Sequence, residues 1–492
     1  VADLMSDEQL LWLLLLLPLA WALLCQFVHK AVYNITIAAS VLQLVLALLT
    51  TQRVLDQGSL HGAQNWFYVD ALSAFHLLVL ALVYLASSLF ARTYFSNEHG
   101  RHRFTKRVAQ RFGTLWLGAL VTMTLLLISN NLGVMWVGME STTLLTAFLI
   151  SLYVDRLSLE AMWKYLIICS VGIAFAFMGT LLFAAAVEHT DLMQSNGMLW
   201  TALSDPAVVF DPVLVKIAFA FLMVGFGVKA GLAPVHSWLP DAHSQAPTPV
   251  SAMFSGFMLN AALYCILRYV PLVTHVLGTS LASNMLLVFG TLSILVSAAF
   301  IVFQTDVKRL LAYHSVEHLG IIAIGYGLGP LGAFAAVFHT LNHALCKSLA
   351  FFAAGRLGQH YATHDMGRIK GAMRVDRLWS MALLGSMLAL IGVAPFAIFM
   401  SEYQIVRAAI DTRQWVVLVL FLLGGSIIFI SALHHIIEML YGKAAIAPVE
   451  TRDNVATRGM VVVILGLLLL LGLWLPSPLL QLMTQAARVV SG

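Results

Sequence analysis

Charged side chains are scarce in this chain. Asp, Glu, Lys and Arg make up 10% of its 492 residues, where soluble domains carry about 25%. Long hydrophilic stretches are missing too, which excludes a sizeable soluble domain. Cysteine is limited to Cys25, Cys169, Cys265 and Cys346, each inside an apolar run and none in a CxxC pair. They read as packing residues, and they leave no ligand set for an iron–sulfur cluster. There is no GxGxxG fingerprint and no P-loop. No cofactor is therefore expected, and if the chain serves a redox enzyme it does not carry the electrons itself. No Ser–His–Asp arrangement stands out, and no carboxylate pair lies in a segment that advertises a water-exposed cleft. The net charge of +4 is spread over loops and is no signal for nucleic acid.

What is present is apolar. Hydrophobic residues make up 60% of the chain, and mean hydropathy is +0.90. Runs of about 18 apolar residues or more recur from end to end, each long enough to cross a hydrocarbon core. Lipid leaves every backbone polar group to be satisfied internally, and runs this long favour helices over barrel strands. The expected fold class is an all-α polytopic membrane protein. About fourteen spans are read, at roughly 10–28, 32–50, 69–91, 113–128, 132–152, 162–187, 213–234, 250–270, 285–303, 310–328, 331–356, 381–400, 415–440 and 460–475. The first run follows Asp3, Asp7 and Glu8. It lacks a basic leader and a small-residue cleavage site, so it reads as a membrane helix.

The distribution of positive charge supports that count. Odd-numbered loops carry Arg92, Arg101, Arg103, Lys106, Arg107 and Arg111; Lys308 and Arg309; Arg356, Arg368, Lys370, Arg374 and Arg377; and Lys443, Arg452 and Arg458. Even-numbered loops are poor in Lys and Arg, and the one after the sixth span holds Glu188, Asp191, Asp205 and Asp211. Basic loops face the cytoplasm, which places both termini on the outer side of a bacterial cytoplasmic (inner) membrane. The chain divides into 1–110 (three helices and a basic cytoplasmic loop), 111–270 and 271–442 (two five-helix units) and 443–492 (a loop and the last helix).

GLAP at Gly231–Pro234 ends the seventh span and GVAP at Gly392–Pro395 ends the twelfth. Lys229 lies just before the first and Glu402 just after the second. Two tandem units of five helices have opposite topology, the arrangement in which broken helices meet near the midplane. Two independent proline kinks are the plainer explanation.

Ionisable residues inside membrane helices cost roughly 2.5–3.5 kcal/mol each on insertion scales and are functional candidates by default. Glu140 lies about nine residues, or roughly 14 Å, beyond the helix start marked by Asn130 and Asn131. It is a proton carrier or a structural, hydrogen-bonded carboxyl. Lys229 is a proton carrier or a lysine reaching for the interface. His339, His343 and Lys347 follow at i, i+4 and i+8 on one helical stripe, which suits a proton relay or polar packing. Their HxxxH spacing resembles half a metal site, but no neighbouring Asp or Glu in the sequence completes it, and no metal is expected. Lys164 either belongs to the path or snorkels. Glu317, His318, His434, His435 and Glu438 are weaker candidates. His236, Asp241 and His243 read as polar residues of a partly unwound segment that satisfy its backbone rather than ligate a metal.

The segments GVMWVGMESTTL, SLEAMWKYLIIC, GFGVKAGLAPVHSWLPDAHSQAPTPVSA, QTDVKRLLAYHSVEHLG, HTLNHALCKSLAFF and PFAIFMSEY resemble the antiporter-like proton-pumping subunits of respiratory complex I, Mrp-type cation/proton antiporters and membrane-bound hydrogenases. The wording is most similar to the component F branch of hydrogenase-4. The resemblance implies fourteen helices, inverted repeats over spans 4–8 and 9–13, and a midplane proton path. Glu140 and Lys229 would form its first-half pair, with His339, His343, Lys347 and Glu402 in its second half. Several relatives carry a Lys or His in the eighth span where this chain offers Ser255 and Asn260, so water would have to bridge the halves. The chain also ends soon after span 14, without the long lateral helix of the distal complex I relative. The resemblance further implies other integral membrane subunits and a peripheral cytoplasmic partner, either a redox module or a zinc-containing protein of inorganic-carbon uptake. An Mrp-type Na⁺/H⁺ antiporter subunit is the other alternative. A sodium site would want carboxylates with hydroxyl or carbonyl oxygens, and a path rich in Lys and His favours protons.

Overall fold

The computed structural model describes residues 5–99, 105–187, 197–443, 449, 451 and 453–491. Arg101, Arg103, Glu188, Asp191 and Arg452, which contribute to the charge pattern above, lie outside the described residues.

Almost every element is a helix. In chain order they are α1 Asp7–Cys25, α2 Val32–Gln57, α3 Ala71–His99, α4 Lys106–Ile128, α5 Leu132–Ile150, α6 Arg156–Ala185, α7 Trp200–Leu203, α8 Pro212–Ala230, α9 Leu239–Gln245, α10 Thr248–Met253, α11 Leu259–Leu277, α12 Ser280–Ile301, α13 Val307–Gly327, α14 Gly329–Tyr361, α15 Ala372–Val375, α16 Arg377–Leu390, α17 Ala397–Asp411, α18 Trp415–Tyr441, α19 Val455–Leu473 and α20 Ser477–Ser491. A two-stranded hairpin joins α2 to α3, with Leu60 opposite Val69 and Gly62 opposite Phe67. This hairpin and α20 are absent from the span reading, because neither is a long apolar run.

Eleven helices among the described residues are long and apolar enough to cross a membrane. The helices α13, α14 and the α16–α17 pair occupy the places of three further spans. They are less apolar or shorter than the other eleven for physical reasons. The first two carry the buried polar groups, and the third is cut in two.

Side-chain caps set several helix starts. Asn131 accepts from the amides of Gly133 and Val134. Asp211 does the same ahead of Pro212, and Asp306 ahead of α13. Each takes up amides that a helix start leaves without partners. The two breaks share a conformation. Gly231 closes α8 at φ +73° and Gly392 follows α16 at φ +70°, each ahead of a cis Ala–Pro peptide. Only glycine enters this left-handed region without a steric penalty. The segment after the first break is less unwound than expected, because it rewinds as α9. A π-turn over Phe254–Met258 then interrupts the eighth span between α10 and α11.

Polarity is arranged inside out. Outer helices such as α18 bury little of their surface, whereas residues 248–270 are buried throughout. The helices with the most ionisable groups, α13 and α14, are also buried along nearly their whole length. Two residues assigned to cytoplasmic loops are in fact inside helices. Lys308 is in the first turn of α13, buried, and donates to the carbonyls of Ser244 at 3.0 Å and Ala246 at 2.5 Å. Arg356 is within α14, fully buried, and pairs with Asp453 at 2.6 Å. Both helices extend past the apolar run, because the protein rather than water supplies the partners of these charges, carbonyls for Lys308 and a carboxylate for Arg356.

Candidate functional site

The first cluster sits between α5, α6 and α8. Glu140 accepts a hydrogen bond from Ser170 at 3.1 Å through one carboxylate oxygen, and the other has no partner. Lys229, on the last turn of α8, is completely buried. Its ammonium donates to the Tyr165 hydroxyl and lies 4.3 Å from that ring's centre. Tyr165 in turn contacts the Thr146 hydroxyl at 2.5 Å. Glu140 and Lys229 are within electrostatic reach of each other, but no ion pair joins them among the described residues. Tyr165 and Ser170 stand in their place. Sequence reasoning passed over both, although Tyr165 directly follows Lys164 and Ser170 directly follows Cys169.

The broken segment separates into an outer and an inner face. Asp241 pairs with Lys164 at 3.2 Å and also with Arg309, so it ties α6 to α13. Lys164 is about half exposed (46%) and also pairs with Glu160 at 2.7 Å. It therefore stays outside the buried cluster. His236 is half-buried with its Nδ1 unpartnered. His243 is buried, with its Nδ1 at 2.9 Å from the Leu239 carbonyl and its Nε2 without a partner. Trp238 donates to the Val228 carbonyl at 2.8 Å, satisfying an acceptor freed by the end of α8.

Between the halves, the π-turn presents Ser255, whose hydroxyl is 2.7 Å from that of Ser315 on α13. Ser315 donates to the Leu311 carbonyl at 3.2 Å. The Lys347 ammonium donates to the same carbonyl. Asn260 is turned back on its own helix, with Nδ2 donating to the Gly256 carbonyl at 3.1 Å and Oδ1 unpartnered. Of the two polar residues read in the eighth span, Ser255 makes the contact across and Asn260 does not. Ser315 was not read as a candidate at all.

The second cluster is built by α13, α14 and α17. The stripe His339, His343 and Lys347 exists, but its members do not bond to one another. Residues of α13 intervene. His314 meets Glu317 at 2.8 Å, and His318 meets His339 at 2.9 Å. The His343 ring is 5.2 Å from that of His318, and both of its nitrogens lack partners. Glu317 and His318, the weaker candidates, are thus central. The hydrogen bonds also assign tautomers. Ser401 donates its proton to the Ile398 carbonyl at 2.8 Å, so it accepts from His339 Nδ1, also at 2.8 Å. His339 Nε2 is then a lone pair, and His318 Nδ1 must be the donor to it. That leaves His318 Nε2 as an unpartnered base. Glu402 rests against Gly392, where any Cβ would collide with its carboxylate. Glu317 and Glu402 both line a cavity of ≈ 380 Å³ walled by Ile294, Phe421 and Leu422.

Residues on α18 stand apart. Glu438 pairs with Lys370, and His434 and His435 contact each other. Outside the spans, burial pushes His364 down to about 3, with Lys308 adding to the effect.

Residues 129–431 match the family model described as NADH:quinone oxidoreductase/Mrp antiporter, TM. The chain is 37% identical to the hydrogenase-4 component F homolog of Methylacidiphilum infernorum, over 70% of this chain and 73% of that protein. An archaeal membrane-bound sulfane sulfur reductase contains a chain with a TM-score of 0.86 and 26% identity, covering 98% of this chain and 97% of that one. A chain of the Mrp complex from Dietzia has the same fold, with a TM-score of 0.86, 21% identity and coverage of 99% and 98%. The matched region spans both breaks and both polar clusters. The chain belongs to the NADH:quinone oxidoreductase/Mrp antiporter family and is an antiporter-like, multi-pass membrane subunit.

Proposed function

We propose that the chain is the proton-translocating subunit of a hydrogenase-4-like or complex I-like redox complex. The observation that carries this reading is a buried polar run from Glu140 to Glu402. It passes through Ser170, Tyr165 and Lys229, then Ser255 and Ser315, then Lys347, Glu317, His318 and His339. Protons need lone pairs and titratable groups at short spacing. The unpartnered nitrogens of His243, His318 and His343 offer further stations. Gaps in the run, such as that between the Lys229 cluster and Ser255, are of a kind that ordered water bridges.

In this reading Lys229 and Lys347 are the two loading sites, one in each five-helix unit. The first and second units run in opposite directions, with fourteen crossings in total and both termini outside. A partner changes the charge beside one unit. The field moves a buried ammonium between its present acceptor and the neighbouring carboxylate, and a proton passes on. At an effective dielectric near 20, a unit pair at 4 Å interacts by about 4 kcal/mol, enough to switch a lysine between its charged and neutral forms. The name of the Methylacidiphilum relative supports a hydrogenase-type redox partner over a carbon-uptake or cation-antiport partner.

The test is proton uptake by the intact complex reconstituted in liposomes, followed with a pH-sensitive dye during turnover. Lys229→Ala and Glu140→Ala are expected to abolish uptake while the complex still assembles. Wild-type uptake in both variants would overturn the reading. Co-purification of a nickel–iron hydrogenase-like subunit supports the redox partner, and a single soluble zinc protein would replace it.

A further inference from the structure

We propose that His318, His339 and Glu402 form a binding site for one divalent transition-metal ion of the zinc class. This goes beyond proton transfer and does not depend on it. One ligand atom from each of the three residues lies within 4.8 Å of the other two. The residues come from α13, α14 and α17, so no sequence spacing announces them. Two imidazoles and a carboxylate are a donor set that zinc accepts, with a fourth position left open.

The nitrogens are already close to the required spacing. His318 Nδ1 and His339 Nε2 are 2.9 Å apart. Tetrahedral ligands at zinc–nitrogen distances of about 2.0–2.1 Å stand roughly 3.3–3.4 Å from each other, so the rings need to part by only a few tenths of an ångström. The tautomer of His339 is also prepared. Its Nδ1 is held by Ser401, whose own proton is committed to the Ile398 carbonyl. This leaves Nε2 free to ligate, the role a second-shell hydrogen bond plays in metal sites. In the ion-free arrangement His318 Nδ1 donates to His339, so binding shifts that proton to the buried, unpartnered Nε2 and leaves Nδ1 to ligate. Glu402 reaches the site from the wall of the ≈ 380 Å³ cavity, which also exposes Glu317.

A second trio, His314, Glu317 and His318, meets the same distance limit. There the His314 Nε2 has no partner to hold the ring, whereas Ser401 holds His339, so the first trio is the better site. An ion at His318 and His339 takes the lone pairs that a relay through these rings would use.

The experiment uses the whole purified complex, stripped with a chelator and titrated with Co²⁺ and then Zn²⁺. Because other subunits bring their own metals, occupancy is read as the difference between wild-type and variant complexes. Wild type is expected to hold one additional Co²⁺ per chain, with the strong visible absorption of a tetrahedral site, displaced by Zn²⁺. His339→Gln and Glu402→Gln should lose it, and His343→Gln should keep it. Ser401→Ala, which leaves all three ligands in place, should weaken binding by about 10- to 100-fold. Should either ligand variant fail to assemble, Ser401→Ala and the wild-type spectrum still decide. The proposal is overturned by no extra ion in wild type, by an octahedral spectrum, by unchanged affinity in Ser401→Ala, or by loss in His314→Gln with retention in His339→Gln. None of these readouts involves transport, so a failed pumping assay leaves the binding result intact.

Discussion

The hydroxyl of Ser255 lies 2.7 Å from that of Ser315, joining the π-turn of the eighth span to α13. Ser315 and Lys347 share the Leu311 carbonyl as acceptor. This contact carries the second cluster as far as the eighth span, which leaves the step from Ser255 to the Lys229 cluster for ordered water to bridge. Ser255→Ala should lower coupled proton uptake by about tenfold, the factor that a net hydrogen bond of about 1 kcal/mol supplies. Stability should fall by only about 1 kcal/mol, the scale of a single net hydrogen bond. Asn260→Leu, at the neighbouring position that makes no contact across, should have the smaller effect on uptake. Equal effects would mean that the serine bridge is not the route.

Tyr165 is the acceptor for the Lys229 ammonium. Tyr165→Phe keeps the ring face but removes the hydroxyl, leaving a buried cation without its hydrogen-bond partner. Such a loss costs at least about 1–3 kcal/mol. The complex is expected to assemble with a lower Tm and to translocate protons slowly, whereas Lys164→Ala should leave uptake near wild type. Unaltered uptake in Tyr165→Phe would remove Tyr165 from the path.

Gly392 sits at φ +70° with the Glu402 carboxylate against it. Gly392→Ala meets two penalties, left-handed backbone at roughly 1–2 kcal/mol and collision with Glu402. The thermal midpoint of the detergent-solubilised complex should drop. Adding Glu402→Ala should recover part of the loss by removing the collision, a coupling that a double-mutant cycle measures. Strict additivity would show that the two residues do not touch in solution.

His364 follows α14, and burial lowers it from its ordinary value of 6.5 to about 3. A group depressed in the folded state gives its full stability above the unfolded value and loses it as pH falls towards the folded one. The loop carrying His364 should therefore open progressively between pH 6.5 and about 3, seen as faster amide exchange over residues 362–371. His364→Gln should flatten that dependence. An unchanged exchange profile in the variant would assign the effect to another group.

The sequence is most legible where one residue carries its own signal. A lysine or glutamate in an apolar run is visible because the cost of burying it must be met, and Glu140, Lys229, Lys347 and Glu402 were found that way. Gly–x–Ala–Pro marked both breaks through backbone chemistry alone. Serine and tyrosine carry no such signal, since both pack in membrane helices without any ionic partner. Ser170, Tyr165, Ser315 and Ser401 were accordingly missed. The expected pairing of Glu140 with Lys229 was legible as complementary charge, yet each has a neutral hydroxyl beside it. Lys308 and Arg356 were misplaced into loops because charge bias says where a helix ends, not whether the protein neutralises that end.

By itself, the sequence determined that this chain lives in a membrane, that it is helical, and that two of its helices break beside ionisable residues. Those properties follow from composition and local backbone preference, which act over a few residues. Only the tertiary structure decided which groups meet. His318 touches His339 across 21 positions and Ser401 touches His339 across 62. Contacts of that range are set by how whole helices pack, and no spacing within a single helix encodes them.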